Sequence, residues 1–90
     1  MDKVMVLGAG SMGSGIAQVM VQAGYDVYLY DIKEDMVTKG LSLIGEALDK
    51  QLSKGRIDVS LRADMGARLH GISEMSMGRD CSLVIETVPE

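Results

Sequence analysis

The sequence predicts an α/β fold, the opening half of a doubly wound parallel sheet. Three observations carry that expectation. An apolar run, Lys3–Leu7, leads directly into a glycine-rich turn. Strand-like and helix-like segments then alternate along the chain. The hydrophobic spacing also changes from unbroken runs to repeats of three and four between them, which is how parallel strands joined by helical crossovers read.

The first element, K-V-M-V-L over Lys3–Leu7, is short and continuously apolar, as in a strand buried on both faces. Residues 11–23 take helical spacing, with Met12, Ile16 and Met20 four apart, Ala17 and Val21 widening the stripe, and Gly24 as the stop. The β-branched and aromatic run D-V-Y-L-Y over Asp26–Tyr30 predicts the second strand. A long helix follows over Glu34–Ser53, because Val37, Leu41, Ile44, Leu48 and Leu52 fall on one face. Lys54 suits the negative pole of that helix, and Gly55 suits a left-handed cap. Asp58 is placed to cap a shorter helix ending near Arg68. Residues 69–73 read as a short edge strand and residues 82–88, S-L-V-I-E-T-V, as a stronger one. A doubly wound sheet needs a second half, so the chain reads as truncated.

Gly8-Ala9-Gly10-Ser11-Met12-Gly13 spells G-x-G-x-x-G. By itself the pattern is weak; between a strand and a helix it has a mechanism. Gly8 permits the tight turn, Gly10 lets backbone approach a pyrophosphate, and Gly13 lets the helix pack against the strand. The amides around Ser11 and Met12 then aim the positive end of the helix at phosphate. Asp31 stands eighteen residues after Gly13 and closes the second strand, where a carboxylate can accept from both ribose hydroxyls. It would repel a 2′-phosphate, so the expected cofactor is NAD rather than NADP, with Lys33 near enough to soften the preference. The fold expected is therefore a Rossmann-type NAD(P)-binding fold. A P-loop is excluded, because no Gly-Lys-Ser/Thr follows the turn.

Composition narrows the partners. Ninety residues hold one small domain, and 47% hydrophobic with 24% charged residues is globular rather than disordered. Only three aromatic residues, all Tyr, leave an aliphatic core with eight Met as gap fillers. The net charge of -4 and the lack of any basic run interleaved with aromatics argue against nucleic acid. A single cysteine, no apolar run of membrane-spanning length and a strand beginning at Lys3 lead to the expectation of a cytoplasmic protein without leader or membrane anchor.

With these residues in hand, the chain resembles the NAD-binding domain of the 3-hydroxyacyl-CoA dehydrogenases, the bacterial 3-hydroxybutyryl-CoA type in particular. The likeness is carried by V-M-V-L-G-A-G-S-M-G-S-G-I-A-Q-V over residues 4–19 and A-G-Y-D-V-Y-L-Y-D-I over 23–32. K-G-R-I over 54–57 and D-C-S-L-V-I-E-T-V-P-E over 80–90 complete it. It implies an acyl-CoA substrate and a homodimer for the longer protein. Lys54 matches a family lysine that contacts coenzyme A, and it reads equally well as a helix-terminal cation. Glu90 matches a family glutamate close to the cofactor. Ala47 departs from a family position that is often small and polar, and Gly45 and Gly78 depart from non-glycine positions, suggesting lower local stability. The family's catalytic His, Glu, Ser and Asn correspond to positions beyond residue 90, so no catalytic residue and no metal ligand is assigned here. His70 is then expected as an exposed loop side chain and Cys81 as a small core residue. Two other readings use the same turn: an NAD(H)-sensing regulatory module, and a dehydrogenase of the 3-hydroxyisobutyrate or 6-phosphogluconate type. The long helix ending Lys54-Gly55-Arg56 and the segment E-T-V-P-E favour the acyl-CoA family over both. A sheet lacking its next strand would leave an apolar edge, and with it a tendency to self-associate.

Overall fold

A computed structural model describes residues 2–87. In chain order the elements are β1 (Lys3–Leu7), α1 (Ser11–Gln22), β2 (Asp26–Tyr30), α2 (Glu34–Ser53), α3 (Val59–Ala67), β3 (Leu69–Ile72) and β4 (Leu83–Glu86), with a 3-10 turn, Met75–Gly78, before the last strand. The four strands form one parallel sheet in the order β3-β2-β1-β4. That order places β1 centrally and sends the chain from β3 across to the other side of β1, so the crevice between β1 and β4 is the point where strand order reverses. Ligands of open α/β sheets bind there, outside the carboxyl ends of the strands.

Alternation along the strands divides the side chains between two faces. Val4, Val6, Val27 and Leu29 point to one face and join Ala17, Val21, Ile44, Leu48 and Met65 in a single buried cluster. All three helices therefore cover the same side. Met5 points to the other face, where the 3-10 turn closes over it. A Cβ on Gly78 would lie 2.6 Å from Met5 Sδ, so this glycine permits the closure rather than merely loosening the turn.

The stripe of α1 differs from the expected one. Gly13, Ser14, Ala17 and Val21 are buried, whereas Met12 is 53% exposed. The helix turns its smallest residues inward because it must lie close to β1 at its start. In α2 the expected face holds, with Val37, Ile44 and Leu48 buried and Leu41 and Leu52 partly so; Gly40 joins it. Asp58 caps α3 as expected, its carboxylate accepting from Leu61 N–H at 2.7 Å.

Arg68, expected only as a helix end, is buried. Its guanidinium donates to the carbonyls of Val21 and Tyr25 at 2.9 and 2.7 Å and to Asp64 at 2.9 Å. It thereby ties α3 to the end of α1, adding a charged donor to the Val21 carbonyl, which also accepts from Gly24 N–H at 3.3 Å. His70 also corrects the sequence reading. It lies within β3, its ring stacked on Tyr28 at 4.6 Å and its Nε2 2.7 Å from Asp26 Oδ1. The strand period brings Asp26, Tyr28 and His70 to the same face of neighbouring strands, which a loop assignment misses. Cys81 is half-buried just before β4, and burial raises its thiol pKa. Among the described residues, no helix is long and apolar enough to cross a membrane.

Candidate functional site at the glycine turn

The turn between β1 and α1 sits at the carboxyl edge of the central strand. Gly8 adopts φ +105, a backbone conformation that L side chains rarely adopt, and its N–H donates to Tyr30 O at 2.7 Å. Gly13 packs so tightly beneath it that a Cβ there would overlap the Gly8 carbonyl. Thr87, just after β4, closes the same corner, donating through Oγ1 to Leu7 O at 2.9 Å. Gly10 is the opposite case: a Cβ built on it meets nothing within 4 Å. Its open side faces the space above the turn.

Gly10 is also the N-cap of α1, with extended backbone and no side-chain cap, and the first turn carries no acidic residue. Ser14 N–H returns to Gly10 O at 2.9 Å. Among the described residues, the N–H groups of Gly10, Ser11, Met12 and Gly13 find no acceptor in the chain. Helix-end donors of this kind, at the positive end of twelve aligned peptides, suit an anion.

Asp31 directly follows β2 beside this turn. Its Oδ2 accepts from Ala9 N–H and its Oδ1 from Lys33 N–H, each at 2.9 Å. The Ala9 bond, then the Lys33 bond, hold the carboxyl pKa below the ordinary 3.8; slight burial opposes them and the Lys33 charge adds a smaller pull. The group is thus an ionised, oriented acceptor. A carboxylate has about four lone-pair positions, so two remain for hydroxyl donors.

The structure brings together Gly8, Ala9, Gly10, Ser11, Met12, Gly13 and Asp31. It does not bring Lys54 to them. Lys54 is exposed at the far end of α2, a helix of twenty residues and hence about 30 Å long. Glu90 lies outside the described residues, as does Val88 of the expected last strand. Two residues that the sequence reading left out join the site from behind: Ser14, which is buried and donates to Ala9 O at 3.1 Å, and Gly40, which packs against both. The one signal for Gly40 was a glycine within the apolar stripe of α2, where a side chain would be expected.

A family model described as the 3-hydroxyacyl-CoA dehydrogenase NAD binding domain matches residues 3–90. The probable 3-hydroxybutyryl-CoA dehydrogenase of Deinococcus radiodurans is 38% identical over 88 residues, covering 98% of this chain and 31% of that protein. The 3-hydroxybutyryl-CoA dehydrogenase of Bradyrhizobium diazoefficiens is 39% identical over 88 residues, covering 98% and 30%. Among solved structures, (S)-3-hydroxybutyryl-CoA dehydrogenase from Ralstonia eutropha superposes with a TM-score of 0.91 at 31% identity, covering all of this chain and 32% of the other. The chain spans about a third of the length of these relatives.

Proposed function

The chain belongs to the 3-hydroxyacyl-CoA dehydrogenase family, through its NAD-binding domain, and from that premise we propose that it holds the cofactor of an enzyme interconverting 3-hydroxyacyl-CoA and 3-oxoacyl-CoA. One observation carries the reading: amides at the start of α1 that find no acceptor among the described residues stand beside an ionised Asp31 that is itself bonded to the glycine turn. Gly10, Ser11, Met12 and Gly13 would hold the pyrophosphate, and Asp31 would hold the adenosine ribose. The fit is chemical as well as spatial, since donors meet the anion and an acceptor meets the hydroxyls. When bound, NAD supplies the hydride acceptor. The residues of this chain would bind and orient it; none of them is assigned the proton transfer at the 3-hydroxyl.

The purified chain is therefore expected to bind NADH yet to produce none from NAD and 3-hydroxybutyryl-CoA. Turnover by the chain alone would contradict that division of labour.

Lys54 and Glu90 complete the proposal on the strength of the family resemblance. Lys54 would meet a coenzyme A phosphate, well away from the dinucleotide, and Glu90 would stand near the cofactor. In the complete enzyme, Lys54→Ala is expected to raise KM for the acyl-CoA several-fold and leave KM for NAD alone. An unchanged acyl-CoA KM would reduce Lys54 to a helix-terminal cation.

The outer edge of β4 suits pairing with a further strand. Leu83 and Val84 are about half exposed there, and no strand among the described residues pairs with that side. The isolated chain is expected to self-associate as its concentration rises in sedimentation velocity. A single monomeric boundary at millimolar concentration would contradict this.

A further inference from the structure

We propose that Ser14 and Gly40 are positioning residues for the dinucleotide: they hold the Ala9 carbonyl inward and so aim the Gly10 N–H outward at the phosphates. The inference rests on the cofactor reading above and adds two residues that touch none of the expected ligand.

The geometry begins with Ala9, which is buried. Both of its polar groups are tied down: the N–H to Asp31 Oδ2 at 2.9 Å, and the carbonyl to Ser14 Oγ at 3.1 Å. Bonds at both ends of one residue fix the two dihedrals between them. The peptide that follows is trans, so its C=O and N–H point in opposite directions. Because the Ala9 carbonyl is drawn into the interface between α1 and α2, the Gly10 N–H must face the other way. The N–H has no acceptor among the described residues, and a Cβ on the same residue would meet nothing within 4 Å.

Gly40 completes the brace from α2. A Cβ there would lie 2.9 Å from Ser14 Oγ, 3.0 Å from Leu29 Cδ2 and 3.1 Å from the Ala9 carbonyl. Only a bare backbone allows α2 close enough to back the hydroxyl without displacing it. The interior side of the turn is thus set by packing with α2. The same residue that offers its carbonyl to Ser14 lends its N–H to Asp31, so the phosphate donors and the ribose acceptor share one support.

The test uses Ser14→Ala, which removes the hydroxyl and little volume, and Gly40→Ala, which adds a methyl group against it. Two quantities are read. The first is the titration midpoint of the Asp31 carboxyl by carbon NMR without ligand. The second is the dissociation constant for NADH by calorimetry. In folded Ser14→Ala, the midpoint is expected to rise as the Ala9 N–H loses its fixed direction, and NADH binding to weaken about tenfold, the equivalent of one buried hydrogen bond. Gly40→Ala is expected to move both in the same direction. A merely structural role would lower the melting temperature and leave the Asp31 midpoint in place. A folded Ser14→Ala chain with the parent midpoint and NADH affinity within twofold of the parent would overturn the inference. If the parent chain bound no NADH, the cofactor reading would fall, and the carboxyl titration would still decide whether Ser14 and Gly40 set the turn.

Discussion

Gly13→Ala is expected to remove most of the stability of the fold, whereas Gly10→Ala is expected to leave the fold intact and abolish NADH binding. The two substitutions add the same methyl group three residues apart. At Gly13 it would overlap the Gly8 carbonyl, and the opposing atom is backbone, held by the bond from Gly8 N–H to Tyr30 O. Relief requires α1 to move off the sheet and expose its Ala17 and Val21 contacts. Overpacking of this kind costs about 3 kcal/mol or more. In a domain of this size that lowers Tm by about 12 °C or more. At Gly10 the same methyl meets nothing in the protein. It would fill the space where a pyrophosphate must lie against the amides of the turn, so thermal unfolding should match the parent within a few degrees while calorimetry shows no heat with NADH. Equal loss of stability in both variants would mean that the open side of Gly10 is not a ligand surface.

Asp31→Asn is expected to cut the preference for NADH over NADPH by about fiftyfold. Part of the change is lost NADH binding. An amide has one acceptor oxygen in place of two, and its NH2 would face either Ala9 N–H or Lys33 N–H, both of which need an acceptor. Charge-assisted bonds are about twice as strong as neutral ones, so NADH should bind about tenfold more weakly. The rest is NADPH gained. Removing a negative charge near the 2′-phosphate relieves at least about 1 kcal/mol of repulsion, or about fivefold in affinity. Lys33 remains beside it as a cation. Paired titrations of parent and variant with both nucleotides measure the ratio; an unchanged ratio would remove Asp31 from the ribose.

The strand–turn–helix–strand core of this site is legible in the sequence because its signals are local. A strand that ends on glycine, a helix that begins three residues later and an acid that closes the next strand are neighbours in the chain, and each has one structural use. The capping of α3 by Asp58 is legible for the same reason. Met12 misled because a four-residue spacing fits more than one helical stripe, and the choice depended on how near α1 lies to β1. Glycine and serine carry no hydrophobic signal, so the stripe through Gly13 and Ser14 was invisible to a count of apolar residues. Gly40 and Arg68 lie further out of reach. Gly40 meets Ser14 and Ala9 across 26 and 31 residues, and Arg68 meets Val21 across 47. Only the folded arrangement brings those partners together.

Calorimetric titration of the folded chain with NADH and, separately, with NADPH tests the central claim most directly. Saturable NADH binding that is clearly tighter than NADPH binding is the predicted result, since the amides at the start of α1 serve both nucleotides and Asp31 separates them. NADPH binding as tight as or tighter than NADH, or no binding of either by a chain that circular dichroism shows to be folded, would contradict it.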